Sequence, residues 1–178
     1  MRQHDIVSDD LPHDTYDLVH VRAVLTHLAA RAPTALRRMA QALKPGGWLL
    51  AEEADFGSWA PAPGTTEAAG ALFRAHWAVA ERLMRARGMD LDYGRRLYAD
   101  AAAQGLVEVQ NEGRTTIERG GSAAARTFRL TWEQLREPTL AAGGLTVDEF
   151  AAFLALWDDP GFSFSIPMLW SVWGRRPR

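Results

Sequence analysis

Leu43-Lys44-Pro45-Gly46-Gly47-Trp48-Leu49-Leu50-Ala51 is the stretch on which the reading of this chain turns. Proline cannot continue a helix and glycine accepts a tight turn, so Lys44-Pro45-Gly46-Gly47 marks a helix stop. Before it, Pro33 suits a first helical position, and Leu36, Met39, Ala40 and Leu43 recur at helical spacing. After it, Trp48-Leu49-Leu50-Ala51 is a short apolar run that reads as a buried strand. Further upstream, Tyr16-Asp17-Leu18-Val19-His20-Val21 follows the turn-forming Leu11-Pro12-His13-Asp14. Its length and β-branched valines favour a strand buried on both faces. Strand, helix, tight turn, strand is the βαβ unit of a parallel sheet.

The rest of the chain extends that unit. Residues 57–64 form a loop with two prolines, and Thr66 can cap a helix reaching about Arg87, with Phe73, Trp77, Ala80 and Met84 on one stripe. Gly88 ends it. A further helix is predicted over 94–104, stopped by Gly105, and residues 106–110 alternate as a half-exposed strand would. Residues 122–136 look helical, ending before Pro138. Thr146 and Glu149 form a capping box ahead of Phe150, Phe153, Leu154 and Trp157. Residues 168–173 read as a last strand, with Pro167 tolerable at its start. The fold class is α/β and helix-rich.

Composition narrows the function classes. The chain has 178 residues, 47% hydrophobic and 24% charged, which fits one globular domain rather than a disordered tract. Twenty basic and 22 acidic side chains leave a net charge of −2, with no single-sign block. That argues against a nucleic-acid surface and a polybasic membrane anchor. Basic charge comes from 19 Arg and one Lys beside 30 Ala and one Asn, the bias of GC-rich codons, so arginine abundance says little about phosphate binding. The absence of cysteine excludes disulfides, thiolate nucleophiles and Cys-ligated zinc. No apolar run is long enough to span a bilayer, and residues 1–5 lack the apolar middle of a signal peptide. A soluble cytoplasmic protein is the expectation.

A family resemblance rests on several motifs in order. They are His4-Asp5-Ile6, Leu11-Pro12, Tyr16-Asp17-Leu18-Val19-His20-x-Arg22, Leu25-x-His27-Leu28, and Leu43-Lys44-Pro45-Gly46-Gly47 before Trp48-Leu49-Leu50-Ala51-Glu52-Glu53. Together they resemble the later half of a class I S-adenosylmethionine-dependent methyltransferase of the small-molecule type. The resemblance implies a Rossmann-like sheet with strand order 3-2-1-4-5-7-6, of which this chain carries strands 3 or 4 to 7. A helical insertion would follow strand 5. It also implies that Asp5 binds the adenine amino group, that Ile6 lies against the ring, and that His20, Val21 and Arg22 face the methionine portion. The cofactor would sit at the switch point of the sheet. The family's acidic glycine-rich loop, Asp/Glu-x-Gly-x-Gly, and the acid that binds the ribose are not in these 178 residues. The chain therefore reads as N-terminally truncated: a single partial domain. Within it, 1–56 form the cofactor-side βαβ, 57–104 and 120–160 the helical lid and substrate segments, and 105–119 and 163–174 the terminal strands.

Several residue patterns admit two readings. His13, His20 and His27 are seven apart but fall on a turn, a strand end and a helix, so they cannot share one face and no metal site is expected. Glu52, Glu53 and Asp55 are either an acid/base or metal cluster at a strand exit or solvated polar residues. His20 and His76 are the candidate general bases by position, and core or surface roles compete with that reading. Catalysis by alignment alone needs no named base. Phe73, Trp77, Tyr93 and Trp132 either line an apolar substrate pocket or form plain core.

The expected function is S-adenosylmethionine-dependent methyl transfer to a small molecule, by a chain whose own cofactor binding is in doubt. The alternatives are a non-catalytic degenerate module that pairs with another chain, and a small-ligand domain that uses the helical lid alone. Without strands 1 and 2, residues 16–21 would be a bare apolar edge prone to self-association, unless residues 3–6 folded back to cover it.

Overall fold

In the computed structural model, which describes residues 3–178, β1 (Tyr16–Arg22) leads through α1 (Ala32–Ala42) to β2 (Leu43–Asp55). This is the strand–helix–strand unit expected from residues 16–51. Beyond it come β3 (Ala60–Pro61), α2 (Glu67–Ala86), α3 (Tyr93–Ala102), β4 (Val107–Arg114) and β5 (Ile117–Arg119). Then follow α4 (Ala123–Gln134), α5 (Arg136–Ala141), α6 (Val147–Leu156), β6 (Ser163–Ser165) and β7 (Met168–Arg175). The chain divides into two compact units.

The first unit takes the stretch up to Gly57, Gly88–Arg114 and Met168–Arg178. Its four-stranded sheet has the order β1-β2-β7-β4. That is the 4-5-7-6 half of the expected sheet, and it bears out the α/β, Rossmann-like reading. β1 and β2 are parallel, with Leu18 opposite Trp48 and Arg22 opposite Glu52. β7 runs antiparallel to both β2 and β4. The core lies between the sheet and α1 and α3, from Leu25, Leu36, Met39, Leu43, Leu49, Leu97 and Val172.

Several expectations need correction. Residues 3–6 form no strand: the chain turns at residues 6–8, with Ile6 and Val7 packed against the core. A two-residue apolar pair with no neighbouring strand has no ladder to join. β1 is not buried on both faces: Val21 is buried and Val19 half-buried, while Tyr16, Leu18, His20 and Arg22 are exposed. Only one face meets the helices, so period-2 alternation decides burial. The Lys44-Pro45-Gly46-Gly47 turn ends α1 as expected but lies inside β2, as an irregular start that shifts its pairing with β1 between Tyr16 and Leu18. Gly46 takes the left-handed φ of 81° that this path requires. Finally, α3 packs on β2 and β7 rather than among lid segments, and Gly94 allows it: an added Cβ would sit 2.8 Å from the Glu53 carbonyl oxygen.

The second unit, Ser58–Arg87 and Thr115–Pro167, gathers α2, α4, α5 and α6 with a small sheet ordered β3-β6-β5. β5 and β6 fall within the 105–119 and 163–174 segments expected as terminal strands but pair in this small sheet instead, and β3 is too brief to show alternation. Pro138 lies inside α5 rather than past a helix end, in its first turn, where a missing N–H costs nothing. The expected caps are present. Thr66 Oγ1 accepts from Ala69 N–H, and the Thr146/Glu149 box is closed in both directions. The core of this unit is aromatic, with Phe73, Trp132, Phe150, Phe153, Trp157, Phe162 and Phe164 fully buried.

Candidate functional site

The parallel strands β1 and β2 end side by side, and their exits carry the polar residues the sequence singled out. His20 Nε2 lies 2.9 Å from Glu52 Oε2. A carboxylate only accepts, so Nε2 carries a proton and donates, and Nδ1 is the acceptor nitrogen of that tautomer. Ser171 on β7 donates to Glu52 Oε1 at 3.1 Å, and Arg22 Nη1 stands 4.0 Å from Oε2. The His20 hydrogen bond, aided by Ser171 and Arg22, holds the Glu52 carboxyl below its ordinary range. Val21 is buried beneath this exit, and Ala23, at a left-handed φ of 53°, turns the chain away while donating its N–H to the Glu52 carbonyl.

The neighbouring carboxylates are committed to the framework. Glu53 is fully buried: Oε1 accepts from the N–H groups of Val24 and Leu25 at 2.8 and 2.6 Å. Its Oε2 accepts the Thr26 hydroxyl at 2.8 Å. Asp55 holds Arg95 of α3 through both carboxylate oxygens, at 3.0 and 2.6 Å. Of the three acids left open by the sequence, Glu53 and Asp55 fasten the strand end to the elements around it, and Glu52 alone pairs with a candidate site residue. Nothing in the sequence signals Thr26, Arg95 or Ser171 as their partners, since these contacts cross long stretches of chain.

Asp5 and Ile6 lie in the turn ahead of β1. The Asp5 N–H donates to Asp9 Oδ2, and its own Oδ1 accepts from Val7 N–H at 2.8 Å. That backbone hydrogen bond, with help from Ser8, lowers the Asp5 pKa. Asp5 is exposed and Ile6 half-buried. Among the described residues no hydrogen bond or ion pair joins Asp5 to His20 or Arg22. The structure thus brings His20, Val21, Arg22 and Glu52 together and leaves Asp5 and Ile6 as a separate group.

His76, the other candidate base, belongs to the second unit. It is fully buried in α2, stacked on Phe153 at 3.5 Å between ring centroids and edge-on to Trp132 at 4.6 Å. Neither ring nitrogen has a hydrogen-bond partner among the described residues, and burial lowers its pKa to about 4. Phe73 and Trp132 lie in the same aromatic core, and Tyr93 lies in the core of the first unit. Among the described residues no three His, Cys, Asp or Glu side chains are placed to hold a metal ion.

Comparison with known proteins adds to this geometry. A methyltransferase domain family matches residues 1–106. Methyltransferase grgD of a Penicillium species is 40% identical over 82 residues, covering 43% of this chain and 26% of that protein. The match therefore spans about a quarter of that relative's length. Among solved structures, the YcgJ protein of Bacillus subtilis superposes with a TM-score of 0.54 at 16% identity, over 99% of this chain and 70% of that one. Phosphoethanolamine N-methyltransferase 2 of Haemonchus contortus, in complex with phosphomonomethylethanolamine and S-adenosylhomocysteine, gives a TM-score of 0.50 at 16% identity. That likeness covers 98% of this chain and 36% of that one. At such identities the two structures share a fold.

Proposed function

We propose, from the premise that this chain belongs to the methyltransferase domain family, that the exits of β1 and β2 form one wall of an S-adenosylmethionine site serving methyl transfer to a small molecule. The observation that carries this reading is the sheet order β1-β2-β7-β4, with parallel β1 and β2 opening at the same end around the His20–Glu52 pair. Ligands of open α/β sheets bind outside the carboxyl ends of the strands.

The donor set fits such a cofactor in kind. Asp5 keeps an exposed carboxylate oriented by Val7 N–H, which suits an amino-group donor, and half-buried Ile6 offers an apolar neighbour for a ring. Arg22 presents a mostly exposed guanidinium for a carboxylate. When bound, the cofactor supplies an electrophilic methyl group on a sulfonium. The chain's part is alignment, with His20 Nδ1 as the group able to receive a proton while Nε2–H stays anchored on Glu52. Buried His76 takes no part in this reading.

The 178 residues hold no Asp/Glu-x-Gly-x-Gly sequence, so these residues alone do not supply the backbone donors that the family's loop would give the cofactor from the facing wall. Each such charge-assisted bond is worth roughly 1.5–3 kcal/mol, and losing two or three costs several powers of ten in affinity. Titrating the labelled chain with S-adenosylhomocysteine should move the amide resonances of Ile6, Val21, Arg22 and Ala23, with a dissociation constant of about 1 mM or weaker. Micromolar binding would show that the loop is dispensable. Saturable binding that leaves those four amides unmoved would refute the wall itself and favour the small-ligand lid. No binding at all would favour the non-catalytic module.

A further inference from the structure

We infer that the groove between the start of α1 and α3 binds a neutral hydroxylated molecule, an alcohol or polyol, holding one hydroxyl between Tyr93 and Asp100. The inference goes beyond methyl transfer and does not depend on it: none of His20, Val21, Arg22 or Glu52 lines this groove. Its volume is about 390 Å³, within the range of small-molecule sites. All of its lining residues belong to the first unit. Tyr93, Arg96 and Asp100 recur at i, i+3 and i+7, so one stripe of α3 forms a wall. Ala29, Ala30 and Pro33 form the facing wall, and such small apolar side chains leave room for a carbon skeleton.

Two polar groups of the groove select the ligand. Asp90, also in the lining, is already paired with Arg96, whose guanidinium carbon lies 5.7 Å from the Tyr93 ring centroid. Tyr93 is 1% exposed, and its hydroxyl has no hydrogen-bond partner among the described residues. Burial first, and then the Asp100 charge, push that hydroxyl well above its ordinary range, so it stays protonated. Asp100 is thus near enough to act on the hydroxyl, yet it is not in place to accept its hydrogen. Asp100 is half-buried, and among the described residues its carboxylate has no ion pair. Tyr93 therefore needs an acceptor, and Asp100, which only accepts, needs a donor. One hydroxyl is both. An ammonium would donate to Asp100 but offer Tyr93 no acceptor, and an anion would meet the Asp100 charge.

Titrating the labelled chain with myo-inositol should move the amide resonances of Ala29, Ala30 and Asp100 along saturating curves, with a dissociation constant of about 10 mM or tighter. Ethylammonium and acetate at the same concentrations should leave them unmoved. Asp100→Ala, at a half-buried position of α3, should weaken inositol binding by about tenfold, and Asp100→Asn, which keeps an acceptor oxygen, should recover part of it. Tyr93→Phe should weaken binding to a similar degree without loss of stability, because it removes a buried donor that has no acceptor. Shifts that rise linearly without saturating would show that water alone serves the two groups, and would overturn the proposal. Ethylammonium binding in preference to inositol, or inositol affinity indifferent to Asp100→Ala, would overturn it equally.

Discussion

His76 illustrates how little a residue type says before its surroundings are known. As a sequence element it is an imidazole on a helix; in the fold its ring is one plate in an aromatic stack. Its folded pKa of about 4 lies below the ordinary value of 6.5, so the unfolded chain binds the proton more readily. Stability from this group is complete above about pH 6.5 and falls as the pH drops toward 4, by roughly 3 kcal/mol in all. His76→Phe keeps the flat ring and removes two buried nitrogens without partners. It should be neutral to stabilising at pH 7. Thermal melts of the two proteins should diverge between pH 6.5 and pH 4, with the variant the less pH-sensitive. Parallel loss of stability in both would show that His76 does not control the acid limb.

At the scale of elements, the end of β2 is a fastening point. Glu53 accepts from the backbone N–H groups of Val24 and Leu25 and from the Thr26 hydroxyl, and so ties the segment that leaves β1 to the strand beside it. Asp55, two residues on, grips α3 through Arg95. Same-face spacing along the strand places both carboxylates inward. Glu53→Ala would leave buried N–H groups without acceptors, and chemical denaturation should register a loss of about 2–4 kcal/mol. Thr26→Val, which removes one hydroxyl donor and keeps the shape, should cost less than half as much. Equal losses would mean that the carboxylate contributes through Thr26 alone. The sequence shows three acids in four residues but not this division of labour, because the partners lie about 30 and 40 positions away.

At the scale of the whole molecule, protection should follow the sheet order. Among the described residues β2 and β7 are paired on both sides and β1 and β4 on one, so amide hydrogens should exchange slowest in β2 and β7. Within β1, Ala23 N–H donates to the Glu52 carbonyl, so by alternation Val19 and Val21 turn their N–H groups toward β2 and should exchange more slowly than Leu18 and His20; equal protection would mean that the other edge of β1 is covered too. The sequence by itself determined the βαβ unit, the helix caps and stops, and, through a family resemblance, the 4-5-7-6 order of the sheet. Those are local signals, because a proline–glycine turn, a capping box or a period of apolar residues acts within a few positions of itself. Only the tertiary structure decided that β1 is exposed on one face, that residues 3–6 form no strand, that His76 is core, and that Glu52 rather than Glu53 or Asp55 joins His20. Burial and hydrogen bonding depend on what lies across the sheet or the core, and those neighbours come from stretches of chain that no local pattern connects.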